Sequence, residues 1–283
     1  MSGMYRNRIK VGQRRYVQLI IAVLYNCHLE GFVTGKISKT GIKSFCTPGL
    51  NCYSCPGAVL SCPLGSLQSS LSKSIFRFPF YIVGTLLLFG ILFGRMICGF
   101  FCPFGLLQEL FFRIPLPKLK KNRFTRYLSY SKYVILVFFV IIIPLTRLSP
   151  GFCKYICPAG TLEAGIPLVF LDKKLWENLG WLFSWKIFLL ALCVLLCAIC
   201  YRSFCRFLCP LGAIYSLFNP ISFFGISVDN EKCTGCHICI KRCKMDTICV
   251  GDRECIMCGE CVAACTKDAI EYKGLKVCSK RER

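Results

Sequence analysis

Residues 233–243 read Cys233-Thr-Gly-Cys236-His-Ile-Cys239-Ile-Lys-Arg-Cys243, and residues 255–265 read Cys255-Ile-Met-Cys258-Gly-Glu-Cys261-Val-Ala-Ala-Cys265. Each is a C-x2-C-x2-C-x3-C quartet. The x2 steps let a tight loop wrap one cubane, and the x3 step begins a helical turn towards a neighbour, so the fourth cysteine of each run serves the other cluster. One [4Fe–4S] cluster then takes Cys233, Cys236, Cys239 and Cys265, and the second takes Cys255, Cys258, Cys261 and Cys243. Zinc also uses paired C-x2-C, but two complete quartets in this order favour the cubanes. Lys244 and Thr266 stand where a proline usually follows the fourth cysteine; proline directs the chain and ligates nothing. Cys249 and Cys278 are left as spare thiols, and His237 and Glu254 read as solvated loop residues.

Working outward, residues 226–283 are polar and dense in cysteine, with no long apolar run. They predict a small α+β bacterial-type 2[4Fe-4S] ferredoxin domain held together by its clusters, since so short a chain buries little core. Residues 1–225 differ in kind. Apolar runs bracketed by basic residues, among them Arg77 and Arg95, Lys132 and Arg147, and Lys186 and Arg202, predict an α-helical membrane protein. About four transmembrane helices are expected, near residues 16–33, 78–97, 129–147 and 184–202. Tyr127, Tyr130, Tyr133, Trp181 and Trp185 sit where an interfacial aromatic belt would lie. Basic residues concentrate at Arg6, Arg8, Lys10, Arg14 and Arg15, and again from Arg113 to Arg126. The positive-inside rule then puts both termini in the cytoplasm of a prokaryotic inner membrane. The first apolar run lacks a cleavage site and reads as an anchor.

The chain has 283 residues, 55% of them hydrophobic, which excludes intrinsic disorder. The 24 cysteines in so long and apolar a chain argue for metal or redox chemistry over a small secreted disulfide scaffold. The formal net charge is +22, but the basic residues flank apolar runs and form no nucleic-acid-binding stripe. A cubane held by four thiolates carries about −2, so four of them would bring the total to roughly +14.

A second cysteine motif repeats through the apolar part. Cys98-Gly-Phe-Phe-Cys102-Pro103, Cys153-Lys-Tyr-Ile-Cys157-Pro158 and Cys205-Arg-Phe-Leu-Cys209-Pro210 are copies of C-x3-C-P. Each continues as x-Gly and an amphipathic stretch, where the glycine is expected to permit an unusual turn. A degenerate copy, Cys62-Pro63-Leu-Gly65, has Ala58 in place of the first cysteine; Cys46, Cys52 or Cys55 could supply the missing thiol. Two thiols do not complete a cubane, so the copies must pair. Cys98 and Cys102 end the second span and Cys205 and Cys209 end the fourth, which predicts an inner site of all four. Cys153 and Cys157 follow the third span and would join two thiols from residues 46–62, with Cys52, Cys55 and Cys62 the foremost candidates, in an outer site. Disulfides outside and packing cysteines inside are the alternatives. Cys193, Cys197 and Cys200 share one helix face and read as packing residues.

With these motifs the chain resembles the membrane polyferredoxins of the NapH/NosR/CcoG type, over nearly its whole length. The Leu50-Asn-Cys52-Tyr-Ser-Cys55-Pro56-Gly57 segment also looks like an N-terminal loop of that family. The resemblance implies electron transfer between a quinol or cytoplasmic donor and a partner redox enzyme, possible even across the membrane; the chain would be an electron-transfer subunit. It also allows an alternative, a maturation or metal-reduction factor in the assembly of a respiratory metalloenzyme. A span of 14–17 residues is only about 21–26 Å long, and that shortness would bring two interfacial clusters closer together. No catalytic triad, phosphate loop or nucleotide fingerprint is visible.

Overall fold

The computed structural model describes residues 11–37, 41–73, 79–119, 121–171, 176–177, 179–245 and 247–273. Arg6, Arg8 and Lys10, the beginning of the 78–97 span, and Cys278 with the last residues of the tail lie outside them. The principal helices are α1 (Val11–Tyr25), α2 (Pro63–Lys73), α3 (Phe80–Phe93), α4 (Pro103–Phe111), α5 (Arg123–Arg147), α6 (Pro158–Leu171), α7 (Trp181–Ile199) and α8 (Pro210–Phe218). The tail adds β1 (Gly225–Val228), α9 (Ile238–Arg242), α10 (Glu260–Ala264) and β2 (Ile270–Lys273). β1 and β2 pair antiparallel, with Ile226 opposite Tyr272.

By length and composition, α5 and α7 are long and apolar enough to cross a bilayer; α3 and α6 are apolar but shorter. The 16–33 segment differs from expectation, because it is not one helix. The Asn26 side chain turns back to the Ala22 carbonyl, at 3.0 Å, and His28 N–H bonds the Gly57 carbonyl, at 3.1 Å, so the chain leaves α1 after Tyr25. α5 starts at a capping box made by Asn122 and Thr125. It widens into a π-helical stretch over Leu136–Ile142, just ahead of Pro144, which has no N–H to donate to the carbonyl four residues back and whose ring would clash with it.

The helices are apolar outside and charged inside. On α1, Tyr16, Leu19, Ile20, Val23 and Leu24 are exposed while Arg14 and Gln18, one turn apart, are buried. On α5, Val134, Val137, Phe138 and Ile141 face outward; on α7, Phe188, Leu192 and Leu195 do. Contiguous exposed apolar surface of this kind suits lipid or a partner. Gly90 lets α3 and α8 close, since a Cβ there would stand 2.7 Å from the Phe218 ring.

Three bracketing residues correct the sequence reading. Arg95, Lys132 and Arg202 are fully buried, and Glu254 is buried against two of them. They do not reach for headgroups; they serve the cysteine motifs.

Candidate iron–sulfur sites

The C-P-x-Gly repeat is a helix start. Cys62, Cys102, Cys157 and Cys209 each precede a helix whose first residue is proline. Proline suits that position because its missing N–H would be unsatisfied anyway. The glycine amide two residues further on points back at the cysteine sulfur, at 3.4 Å from Gly160 to Cys157 and from Gly212 to Cys209. At Cys102 the Gly105 amide donates to the cysteine carbonyl, at 3.1 Å, and the Gly65 amide is among the backbone groups that favour a thiolate at Cys62. Each sulfur therefore sits at the positive end of a helix, a place that favours a thiolate. The glycines do not make an unusual turn: none of the four has a positive φ. They admit neighbours instead. A Cβ on Gly105 would lie 2.9 Å from the Cys98 carbonyl oxygen, and one on Gly212 2.9 Å from that of Cys205. At Gly160 it would face the sulfurs of Cys52 and Cys157, at 3.7 and 3.8 Å.

The motifs converge in two groups. Burial pushes the Cys102 and Cys209 thiols up, and the nearby Cys98 and Cys205 push them further, so Cys98, Cys102, Cys205 and Cys209 are neighbours. Burial likewise raises Cys52 and Cys153 to about 12, with Cys62 close to both, and Cys157 is raised by burial and by Cys153, Cys52 and Cys62. The second group is thus Cys52, Cys62, Cys153 and Cys157. Cys55 is buried beside it, and its charged neighbours are Glu163 and Lys43; Cys46 contacts Ser61. Four protons must leave each group when thiolates form, so assembly of a metal cluster is coupled to their release.

The inner group has a distinctive electrostatic frame. Glu109 accepts from both guanidinium nitrogens of Arg14, at 2.8 and 2.7 Å, from Arg202 Nε at 2.9 Å and from the Tyr201 hydroxyl at 2.7 Å. Burial alone would raise this carboxyl; Arg202 and Arg14 overcome it and hold the pKa at about 2. Glu254 is bound by Arg95 and Lys132 in the same fashion. The two arginines then cross the site: Arg202 donates to the Cys98 carbonyl and Arg95 to the Cys205 carbonyl, the latter at 3.1 Å. Both stand three residues before the first cysteine of their own motif, so the halves clamp each other. Each triad holds two cations on one carboxylate, and buried charge without compensation is costly. The two triads leave two positive charges in excess, which favours an anionic group such as a tetrathiolate cubane of formal charge about −2. Arg206, on the Cys200 sulfur at 3.1 Å, adds a further cation.

One stretch links the two groups. The Leu50 amide faces the Cys102 sulfur and the next amide, Asn51, faces Cys62. Those two amides belong to consecutive residues, so one short stretch of backbone lies against both groups. Tyr215, wholly buried, donates to the Pro48 carbonyl at 2.8 Å and lies near Cys98, Cys102 and Cys62. The outer motif is therefore drawn into the same core as the inner one.

In the tail, burial and the neighbouring Cys255 and Cys243 raise Cys258, to about 12, and Cys261 is pushed up by burial and by Cys255, Cys258 and Cys243. Those four form one group. Cys233 and Cys236 neighbour Cys239. Cys265 accepts the Ala269 amide at 3.4 Å and packs on the same small core as Cys239. His237 and Gly259, each following the second cysteine of its quartet, both adopt the left-handed conformation. At Gly259 a Cβ would also strike the Tyr272 hydroxyl. Cys249 is disulfide-bonded, not a spare thiol. Cys193 and Cys197 are buried as packing residues, and the Cys197 thiol contacts Ser203 at 3.2 Å. Among the described residues no three His, Cys, Asp or Glu close on a single metal ion; the wider four-sulfur groups suit a cubane, in which each thiolate binds a different iron.

The cysteine groups and the helix starts that carry them are those of an iron–sulfur protein. Residues 76–122, 132–174 and 181–225 match the model of a 4Fe-4S binding domain. Uncharacterized protein MJ0749 of Methanocaldococcus jannaschii is 33% identical over 199 residues, 67% of this chain and 68% of that protein. The methylamine utilization ferredoxin-type protein MauN of Methylobacillus flagellatus is 24% identical over 249 residues, 86% of this chain and 78% of its own length. The regulatory protein NosR of Stutzerimonas stutzeri is 25% identical over 160 residues, 56% of this chain but 21% of NosR. No solved structure matches significantly. The chain belongs to this 4Fe-4S family, as a polyferredoxin of the NosR type.

Three features escaped the sequence reading: the arginine three residues before Cys98 and Cys205, the carboxylates that pair with them, and the residue six positions after each C-P cysteine. The last was visible only as a shared position in the repeat, occupied by Gln68, Gln108, Glu163 and Tyr215.

Proposed function

We propose that the chain is a membrane-seated electron conduit with four [4Fe–4S] clusters. Its membrane domain, residues 1–225, would hold an inner cluster on Cys98, Cys102, Cys205 and Cys209 and an outer one on Cys52, Cys62, Cys153 and Cys157. The ferredoxin domain, residues 226–283, would hold the other two on the quartets as spacing assigns them. Bound, the clusters supply one-electron chemistry; the chain's own residues place the thiols, exclude water and balance charge. The exposed apolar faces and the helices α3, α5, α6 and α7 support a multi-pass arrangement in a prokaryotic inner membrane, with cytoplasmic termini. A quinol or a cytoplasmic protein would be the donor and a redox enzyme the partner.

The continuity of the four groups carries this reading. The loop between Cys255 and Cys258 sits on the turn between Cys98 and Cys102, so closely that a Cβ on Gly99 would overlap the Ile256 carbonyl. Asn219 secures the contact by donating to the carbonyls of Asp252 at 2.6 Å and Cys255 at 3.1 Å. From there the Leu50–Asn51 amides lead to the outer group. Tunnelling falls steeply with distance, and an unbroken series of short gaps is what a relay requires.

Anaerobic purification with iron and sulfide analysis tests it: about sixteen irons per chain are expected for four cubanes, and about eight would confine clusters to the tail. Replacing Cys52 with serine should remove about one cluster's four irons, whereas Cys55→Ser should leave them in place. The reverse result would move the fourth outer ligand to Cys55.

A further inference from the structure

We propose that Gln108 and Gln68 act as N–H donors to one ligand sulfur each, Gln108 raising the reduction potential of the inner cluster and Gln68 that of the outer. This rests on the ligand sets proposed above. Both glutamines stand six residues after a C-P cysteine, Gln68 after Cys62 and Gln108 after Cys102, and both are buried. Gln108 Nε2 lies 3.0 Å from the Cys205 sulfur and Gln68 Nε2 3.3 Å from the Cys153 sulfur. Each glutamine thus reaches across from one motif to the first cysteine of the partner motif.

Their orientation is fixed by their other bonds. Gln68 Oε1 accepts the Phe152 amide at 2.9 Å, and Gln108 Oε1 accepts the Cys205 amide at 3.3 Å. On each Nε2, one hydrogen goes to the carbonyl four residues back, Leu64 at 3.2 Å or Phe104 at 3.4 Å. The second hydrogen is left for the sulfur. With the oxygen held by a backbone amide, the side-chain amide cannot flip without facing donor to donor. An ionised carboxylate at the same place could not serve, because it has no hydrogen to donate. The two remaining motifs confirm the contrast: Glu163 accepts the Cys52 amide at 2.8 Å and Tyr215 donates to the Pro48 carbonyl, so neither aims an N–H at a ligand sulfur.

Reduction adds a negative charge that spreads onto the cysteine sulfurs, and a donor aimed at one of them stabilises the reduced form. A neutral amide does so without needing a counterion of its own, in a core already crowded with charge. The Cys197 thiol also approaches Gln108 Oε1, at 3.7 Å, which helps hold that amide in place.

The test is a redox titration of the full-length protein, purified anaerobically and followed by electron paramagnetic resonance. Signals are assigned by their loss in Cys205→Ser and Cys153→Ser. In Gln108→Met the inner cluster should become about tenfold harder to reduce, near 59 mV for a one-electron couple, with the outer signal unmoved. Gln68→Met should give the mirror result. Should either variant shed iron, Gln108→Glu or Gln68→Glu carries the test, because a carboxylate keeps the acceptor for the backbone amide while losing the donor; the same cluster should again fall in potential. Unchanged midpoints at full iron content would overturn the proposal, as would both clusters shifting together in a single variant. A wild-type protein holding only tail clusters would instead show no inner or outer signal to titrate, which is the failure of the ligand sets and not of the donors alone.

Discussion

Valine in place of Gly99 is expected to leave the iron content intact and to break electron exchange between the tail cysteines and those of the C-x3-C-P motifs. Gly99 lies in the turn between Cys98 and Cys102, and the Ile256 carbonyl occupies the space a side chain would need. The Arg14 guanidinium also donates to the Gly99 carbonyl, at 3.1 Å, so the turn is held from its other side and cannot simply withdraw. The added bulk must therefore push the Cys255–Cys258 loop outward. No ligand is lost from either group, because the glycine itself ligates nothing. Stopped-flow mixing with a protein electron donor that docks on the tail and has been reduced beforehand with dithionite would show normal filling of the tail, followed by slow or absent reduction of the inner signal. Alanine should produce a milder form of the same defect. If valine leaves inner reduction as fast as in the wild type, the Gly99–Ile256 contact is not the route.

The cysteine quartets, the C-x3-C-P copies and the alternation of apolar runs were legible because their chemistry fixes spacing along the chain. The choice of Cys52 and Cys62 over Cys46 and Cys55 was not, since it depends on how residues 46–62 fold. There Thr47 bonds the Gly49 carbonyl at 3.0 Å and Asn51 the Leu60 carbonyl at 3.3 Å, bonds that no spacing rule encodes. The nearness of the two groups built on the C-P motifs was hidden for a similar reason. α2 and α6 run away from Cys62 and Cys157, and α3 and α7 return, so helix length measures the excursion and not the gap between sites. Arg95 and Arg202 were misread because a basic residue at the end of an apolar run has the same sequence signature whether it snorkels or turns inward. Only the carboxylates distinguish the two, and Glu109 lies 93 residues from Arg202.

Substituting Glu109 by glutamine should be among the most destabilising single changes in the protein. The carboxylate is the shared partner of Arg14 and Arg202, and all three side chains are almost wholly buried. Glutamine can accept from one guanidinium with its single oxygen, but it removes the charge that offsets two cations. Breaking a buried ion pair by deleting one partner costs about 3–5 kcal/mol, and here two pairs are broken at once. The loss should appear as a lower thermal unfolding midpoint and as release of iron from the inner group, because Arg202 also holds the Cys98 carbonyl. The pH dependence has a definite sign. The folded carboxyl has a pKa of about 2 against an ordinary value of 4.5, so its stabilising contribution is complete above about pH 4.5 and disappears as the pH falls towards 2. Between about pH 5 and 8 the deficit of the glutamine variant should accordingly be constant. A deficit that shrinks within that interval would mean that Glu109 titrates there, and that the two arginines do not hold it as the geometry requires. An aspartate at the same position keeps the charge but retracts it, and should recover part of the stability while glutamine recovers none.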